Sequence, residues 1–483
     1  MSRIVVGPFN RVEGDLEVSL DIANGQVKGA RVNSPMFRGF ERIMHGQNPM
    51  DALVYTPRIC GICSVSQSVA CARALADMMQ LEMPENGELA TNLVLANENM
   101  TDLLTHFYLF FMPDFSRDIY AGEDWFSTVS KRFKAKTGTA TRAMLAARAE
   151  FLHLMGLMAG KWPHTLSLQP GGTTKPIESQ ERIRLLTILS AFRGFLEEQL
   201  FGADLEEIGE LDSLSALKQW SSKEHWGQSD FRTFLHLSAD LELKNLGRST
   251  NQFLSYGNYP LQGEPMFKSG VNFHGETGVL ETGSITEDLA YSWMESEPEP
   301  LPPQEGKTNP SLVNEDAYTW CKAPRFNRQV MEVGALSRQL INGHPLITDL
   351  VNRSGGNVEN RIIARLLELA LVIPQMQKWA AQLNPQADFC HHGQMPKEGS
   401  GVGMIEAARG SLGHWINVEK GKISNYQIIA PTTWNFSPRD GQSVPGALEQ
   451  ALVGAPVHEG EKEPVSVQHI VRSFDPCMVC TVH

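Results

Sequence analysis

Apolar and polar positions alternate along residues 15–33, where Leu16, Val18 and Leu20 are separated by polar neighbours. That period of two predicts strands, and Asn24-Gly25 supplies a two-residue hairpin turn. Residues 3–8 read as a further strand. Past residue 50 the period lengthens. Residues 86–113 carry Leu93, Leu95, Met100, Leu103, Leu104 and Phe107 at helical spacings, which predicts a long and heavily buried helix. Helical patterns also cover 52–79, 140–160, 181–200 and 357–384, and Arg38-Gly39-Phe40-Glu41 leads into a shorter one.

Between these segments Gln169-Pro170-Gly171-Gly172 reads as a turn, residues 203–330 as less regular, and the acidic, proline-rich stretch 295–304 as a surface loop. The last hundred residues are rich in glycine and proline. There, Glu406 to Gly410, Gly413-His414-Trp415 and Ala430 to Asn435 read as loops that carry function, since a loop without function is rarely buried. The expected class is mainly α with a small β portion (α+β), as one domain over 1–483. Within it, 1–35 is β-rich, 50–200 and 355–385 hold the main helices, and 390–483 holds carboxyl-terminal loops.

Composition narrows the chemistry. A formal charge of −13 with no basic stripe argues against nucleic acid as a partner. No run of ~18 apolar residues predicts a membrane span, and Met1 to Gly7 contains neither an apolar signal core nor twin arginines. Cytoplasmic residence is the expectation. Seven cysteines are too few for a disulfide scaffold in a chain of 483 residues and read better as ligands plus buried thiols.

Four of those cysteines form two Cys-x-x-Cys pairs, Cys60/Cys63 and Cys477/Cys480, more than four hundred residues apart. If they meet, they make a four-sulfur site for a soft or borderline metal. A structural zinc site is the competing reading, although its two pairs usually lie about 15–20 residues apart. Cys71, two turns past Cys63, reads as a small core residue. Taken alone, Glu13 reads as a solvated turn residue, Arg409 as a surface cation, and Asp102 with His106 as a local hydrogen bond between residues four apart on a helix.

Arg58-x-Cys60-Gly61-x-Cys63 with Asp475-Pro476-Cys477-x-x-Cys480-x-x-His483 resembles the paired signatures of the large, catalytic subunit of nickel-iron hydrogenases. So do the stretches Arg38 to Glu41, His106-Phe107-Tyr108, Tyr318 to Arg325, Glu332-Val333-Gly334 and Pro431 to Asn435, in the family's order. The resemblance implies a large helical core enclosing a nickel held by four thiolates. Cys63 and Cys480 would bridge to an iron carrying one carbonyl and two cyanides, and Cys60 and Cys477 would be terminal on nickel. Arg409 and Thr432 would donate to the cyanides, with Asp102 and Asp475 ordering Arg409. Glu13 would take a proton from Cys477. Glu41, the Ile428 carbonyl and His483 would hold a magnesium ion. The implied reaction is reversible, heterolytic cleavage of H2. The implied partner is a small subunit carrying iron-sulfur clusters, because the remaining cysteines are single and scattered.

Three positions depart from most of the family. Gln67 stands four residues after Cys63 where a histidine is usual, and Ile62 and Phe110 are bulkier than the common gas-channel residues. Together they resemble the regulatory, hydrogen-sensing branch, which is cytoplasmic and signals to a histidine kinase. Ala408 replaces the proline common before the arginine. A chain ending at His483 suits either a sensor or an enzyme trimmed after synthesis. The alternatives are an energy-conserving uptake hydrogenase, a nickel-free structural or quinone-associated relative, and a zinc-stapled scaffold.

Overall fold

The computed structural model describes residues 2–483. Strands β1 (Ser2–Val6), β2 (Glu17–Ala23) and β3 (Gln26–Asn33) form an antiparallel meander in that order. Asn24 and Gly25 have φ of 54° and 69°, the left-handed pair that the two-residue hairpin requires. Val18, Leu20, Val27 and Val32 are fully buried, as their alternation predicts. The helix Ala447–Leu452 packs against β3 and brings Glu449 beneath the meander.

Glu449 is completely buried, and one of its oxygens, Oε1, accepts from the Val32 amide (3.0 Å) and the Tyr318 hydroxyl (2.7 Å). Its Oε2 has no hydrogen-bond partner. Burial raises this carboxyl from 4.5 to about 7. Because the folded value lies above the unfolded one, its stabilisation is complete below about 4.5 and is lost as the pH rises towards 7. The loss should be on the order of 3 kcal/mol. Glu449→Gln keeps an acceptor for both donors, so urea titrations across that range should show a flatter pH dependence than the wild type.

The helical core is built on α1 (Ser64–Met79), α2 (Glu85–Thr105), α3 (Thr139–Phe151) and α4 (Ser179–Phe195). The region 203–330 is more regular than expected. It holds the helices Leu214–Ser222 and Asp230–Asp240 and a long hairpin of β4 (Gln252–Leu261) and β5 (Glu264–Phe273). The long α5 (Val358–Gln382) packs on α2 and α4. Helix α2 is buried on nearly every side and ends at Thr105 in a wider π-turn, His106–Phe111, before the expected end at 113. The helix expected over 52–79 is broken at the first cysteine pair, with separate turns up to Arg58 and a new helix from Ser64.

The carboxyl-terminal region departs most from expectation. The segments read as loops are largely a three-stranded antiparallel sheet, β6 (Gly399–Ala407), β7 (Gly410–Glu419) and β8 (Lys422–Ile429), followed by the short helix α6 (Pro431–Asn435). Ala407 pairs with Gly410, so Ala408 and Arg409 form the tip of a tight hairpin. The glycines that suggested loops serve close packing. A Cβ on Gly401 or Gly403 would sit 2.0 Å from the Ala74 carbonyl oxygen or 1.9 Å from that of Ala70, so only glycine lets α1 lie directly on β6. The main apolar core draws on residues from Val6 to Cys480, and a smaller one forms around Leu254, Phe326, Trp415 and Trp434. No helix among the described residues is long and apolar enough to cross a membrane.

Candidate metal centre

The two cysteine pairs meet. The Sγ atoms of Cys60, Cys63, Cys477 and Cys480 all lie within 4.8 Å of one another, in the buried core. Cys63 and Cys480 are 3.0 Å apart, Cys60 and Cys477 3.5 Å, and Cys477 and Cys480 3.2 Å. The chain break before α1 aims the first pair, and the Ile62 amide donates to Cys60 Sγ (3.3 Å). The second pair lies around α7 (Met478–Thr481), where the Thr481 hydroxyl donates to the Cys477 carbonyl (3.0 Å). Arg38 ties the two halves together by donating to the carbonyls of Ile59 and Val479.

Electrostatics fit this donor set to a cation. Hydrogen bonds from Cys477, Cys480 and Cys63 pull Cys60 well below the ordinary thiol value. Hydrogen bonding with Cys477 and Cys60, together with burial, pushes Cys63 and Cys480 well above it. Four sulfurs at these distances cannot all ionise against one another. A metal removes that conflict, and a thiolate metal site of about 2.3 Å bonds places tetrahedral sulfurs about 3.7 Å apart, close to the observed spacing.

Charged and polar side chains converge on the cluster. Arg409, at the β6–β7 tip, donates to Asp102 on α2 (2.5 and 3.2 Å) and to the Asp475 side chain (3.2 Å) and carbonyl (3.0 Å). All three are buried. Burial pushes Asp475 up, but Arg409, His106 and Arg365 outweigh it and hold its carboxyl below the usual range. Burial dominates at Asp102, raised to about 7 in spite of Arg409. The local Asp102–His106 hydrogen bond does not form. Asp102 turns to Arg409, and His106 Nε2 lies 2.7 Å from the Arg472 carbonyl, because each finds a stronger partner across the core.

Glu13 pairs with Cys477 in an isolated parallel bridge, and its carbonyl accepts from the Met478 amide (2.7 Å). Its turn is pinned by Arg11, which joins Arg472 on the buried Asp114. Gly14, at φ 80°, lets the turn press against Met478 and Val479. Burial and the Cys60 charge raise the Glu13 carboxyl above its ordinary value. The Thr432 hydroxyl accepts from the Cys477 amide (3.1 Å), leaving its own proton to donate. Ile62 and Phe110 are both half-buried, Ile62 against the core and Phe110 on the π-turn after α2.

A second polar cluster surrounds Glu41, beside a cavity of about 10 Å³ bounded also by Glu287, Lys322, Ile428 and His483. Glu41 meets His483 Nε2 (3.2 Å), Lys322 Nζ (3.2 Å) and the Thr308 hydroxyl. Ile428 reaches Glu41 through its amide (2.8 Å), and the charge these carboxylates face is the Lys322 ammonium. Burial opposes ionisation of Glu41, yet Lys322 and His483 hold it at about 2.

Two functional positions escaped the sequence reading. Glu98, one turn before Asp102, accepts from the Val65 and Ser66 amides (both 2.8 Å) and from Trp162 Nε1 (2.9 Å), capping α1 just after Cys63. A carboxylate on an otherwise buried helix was the available signal. Arg338 joins Glu368 and Glu406 and donates to the Ala407 and Ala408 carbonyls (3.0 and 2.9 Å), holding the Arg409 turn from beneath.

A family description, nickel-dependent hydrogenase, matches residues 38–124 and 142–483. The chain belongs to that family. The large subunit of a periplasmic NiFeSe hydrogenase from Desulfomicrobium baculatum is 27% identical, over all of this chain and 95% of its own length. The hydrogenase-2 large chain of Escherichia coli K12 is 26% identical over all of this chain and 97% of its own. The solved NiFeSe hydrogenase of D. vulgaris Hildenborough superposes with a TM-score of 0.85 at 26% identity, covering both chains completely. This nickel-dependent hydrogenase is therefore a large subunit, an oxidoreductase acting on H2. With all four cysteines together, membership removes the zinc-stapled and nickel-free readings.

Proposed function

We propose that this hydrogenase large subunit works in a heterodimer with an iron-sulfur small subunit, cleaves H2 reversibly and heterolytically, and serves as a cytoplasmic hydrogen sensor signalling to a histidine kinase. The observation that carries the chemistry is the four-sulfur cluster flanked by Glu13 on one side and Arg409 on the other. Cys60 and Cys477 would hold the nickel terminally, and Cys63 and Cys480, the closest cross-pair, would bridge to the iron. When bound, the centre with its one carbonyl and two cyanides supplies an electron-rich soft site at which H2 is polarised.

The chain's own groups do the rest. Cys477, whose main chain bridges to that of Glu13, would be the thiol that holds a proton. Glu13, its carboxyl raised by burial, takes that proton and releases it outward. Arg409 and the Thr432 hydroxyl offer donors to anionic ligands in a pocket without bulk water. Glu41, the Ile428 carbonyl and His483, which border one small cavity, would hold a magnesium ion. The two electrons need a partner, because Cys71, Cys321 and Cys390 are too dispersed to build a relay.

An infrared spectrum of the heterodimer before and after H2 tests the chemistry. One carbonyl and two cyanide bands that move with H2 are expected. A blank spectrum from folded, nickel-containing protein would overturn it.

Gln67, Ile62 and Phe110 support the sensing role. The bulk of Ile62 and Phe110 is expected to hinder oxygen more than hydrogen on the way to the metals. Ile62→Val with Phe110→Leu should therefore make H2 oxidation oxygen-sensitive, and unchanged activity under air would remove that explanation. The relatives named for uptake favour a second reading, an energy-conserving uptake hydrogenase. Rapid dye reduction under H2, with no change in the phosphorylation of a co-expressed kinase, would select it.

A further inference from the structure

Glycines 401 and 403 bring α1 so close to the carboxyl-terminal sheet that polar groups from the two meet inside the core. Gln67 and Cys71, one turn apart on α1, face His414 on β7 and Tyr426 on β8. All four are at most 1% exposed. His414 Nε2 lies 2.8 Å from Gln67 Oε1, and His414 Nδ1 lies 2.8 Å from the Tyr426 hydroxyl. The Cys71 thiol lies beside the Tyr426 hydroxyl and influences its ionisation.

Every member of this chain is neutral. Burial lowers His414 to about 3, raises Cys71 to about 11 and pushes Tyr426 well above its ordinary value. With one mobile proton each on the phenol and the imidazole, the chain must run one way or the other. Imidazole nitrogen is a far better acceptor than sulfur, so the Tyr426 proton goes to Nδ1. The imidazole proton then lies on Nε2 and is donated to the Gln67 carbonyl oxygen. The Thr56 hydroxyl commits its own proton to the Ala52 carbonyl (2.9 Å), so it donates nothing to Cys71. The Gln67 NH2 is left to point elsewhere. Gln67 sits one turn after Cys63, and helical side chains lean towards the amino-terminal turn, which here carries the thiol cluster.

We propose that Cys71, Tyr426 and His414 form a directional hydrogen-bond chain that fixes the amide of Gln67 with its NH2 towards the bridging sulfurs. Tyr426 and His414 are thus positioning residues that act on the metal centre through Gln67. The inference rests on the nickel-iron reading above. An N–H donated to a thiolate withdraws electron density from it, and an amide oxygen in the same place would do the reverse. Without the Tyr426 proton, His414 is free to carry its hydrogen on Nδ1 and accept at Nε2, which turns the amide over.

The test uses the complete heterodimer and reads the carbonyl and cyanide stretches of Tyr426→Phe, Gln67→Ala, the double variant and Cys71→Ser. Tyr426→Phe and Gln67→Ala should each move the bands to lower frequency. The double variant should move them no further than Gln67→Ala alone, because Tyr426 acts only through Gln67. Cys71→Ser keeps a donor to Tyr426 and should leave them in place. Unmoved bands in Tyr426→Phe, or a double shift equal to the sum of the singles, would overturn the proposal. A wild-type spectrum without such bands would instead remove the nickel-iron reading on which it rests.

Discussion

Glu13→Gln is expected to reduce H2 oxidation by about 10²–10⁴-fold, the range for losing a positioned general base, while leaving the metal centre assembled. The bridge between Glu13 and Cys477 is made by backbone, with the Met478 amide on the Glu13 carbonyl, so an isosteric amide keeps the geometry. What it loses is the ability to accept a proton. Infrared bands in the variant should match the wild type, and nickel content should be unchanged. Isotope exchange between H2 and water should fall with the oxidation rate, since both need the proton to leave. Normal exchange in the variant would show that the proton departs by another route.

Arg409→Met should be the most damaging substitution for stability. It leaves the carboxylates of Asp102 and Asp475 facing each other in the core without their shared cation. Breaking a buried pair in this way costs about 3–5 kcal/mol. The pH dependence identifies the cause. In the wild type, Arg409 helps to hold Asp475 below its ordinary value, so its stabilisation persists at neutral pH and is lost as the pH falls through the folded value. In the variant both carboxyls are raised, so the deficit should grow from acidic to neutral pH. Arg409→Lys keeps a charge without the planar fork and should recover most of the stability while shifting the cyanide bands. A deficit independent of pH in Arg409→Met would point to lost packing instead.

Much of the centre could be read from residue order because its ligands belong to short motifs. Cys60, Cys63, Cys477 and Cys480 stand out by spacing, and the long helices by their apolar period. The carboxyl-terminal sheet was illegible for a physical reason. Its glycines read as breakers, whereas Gly401 and Gly403 are small so that α1 can touch β6, a requirement set by a partner more than three hundred residues away. The Asp102–His106 reading failed similarly. Four-residue spacing permits a local bond, but the competing partners, Arg409 and the Arg472 carbonyl, come from distant sequence. Glu98 and Arg338 were missed because nothing next to a buried charged side chain in sequence names the groups it will bond.

The two cysteine pairs, bridged by Arg38 and 417 residues apart along the chain, also set an order of events during synthesis. At about 5–20 residues per second, a ribosome delivers the first pair roughly 20–80 seconds before the second. Through that interval Cys60 and Cys63 stand as an open half-site at the rim of a growing helical core. The carboxyl-terminal segment around α7 is then a clasp, and the four-sulfur site comes into being only when that last segment closes.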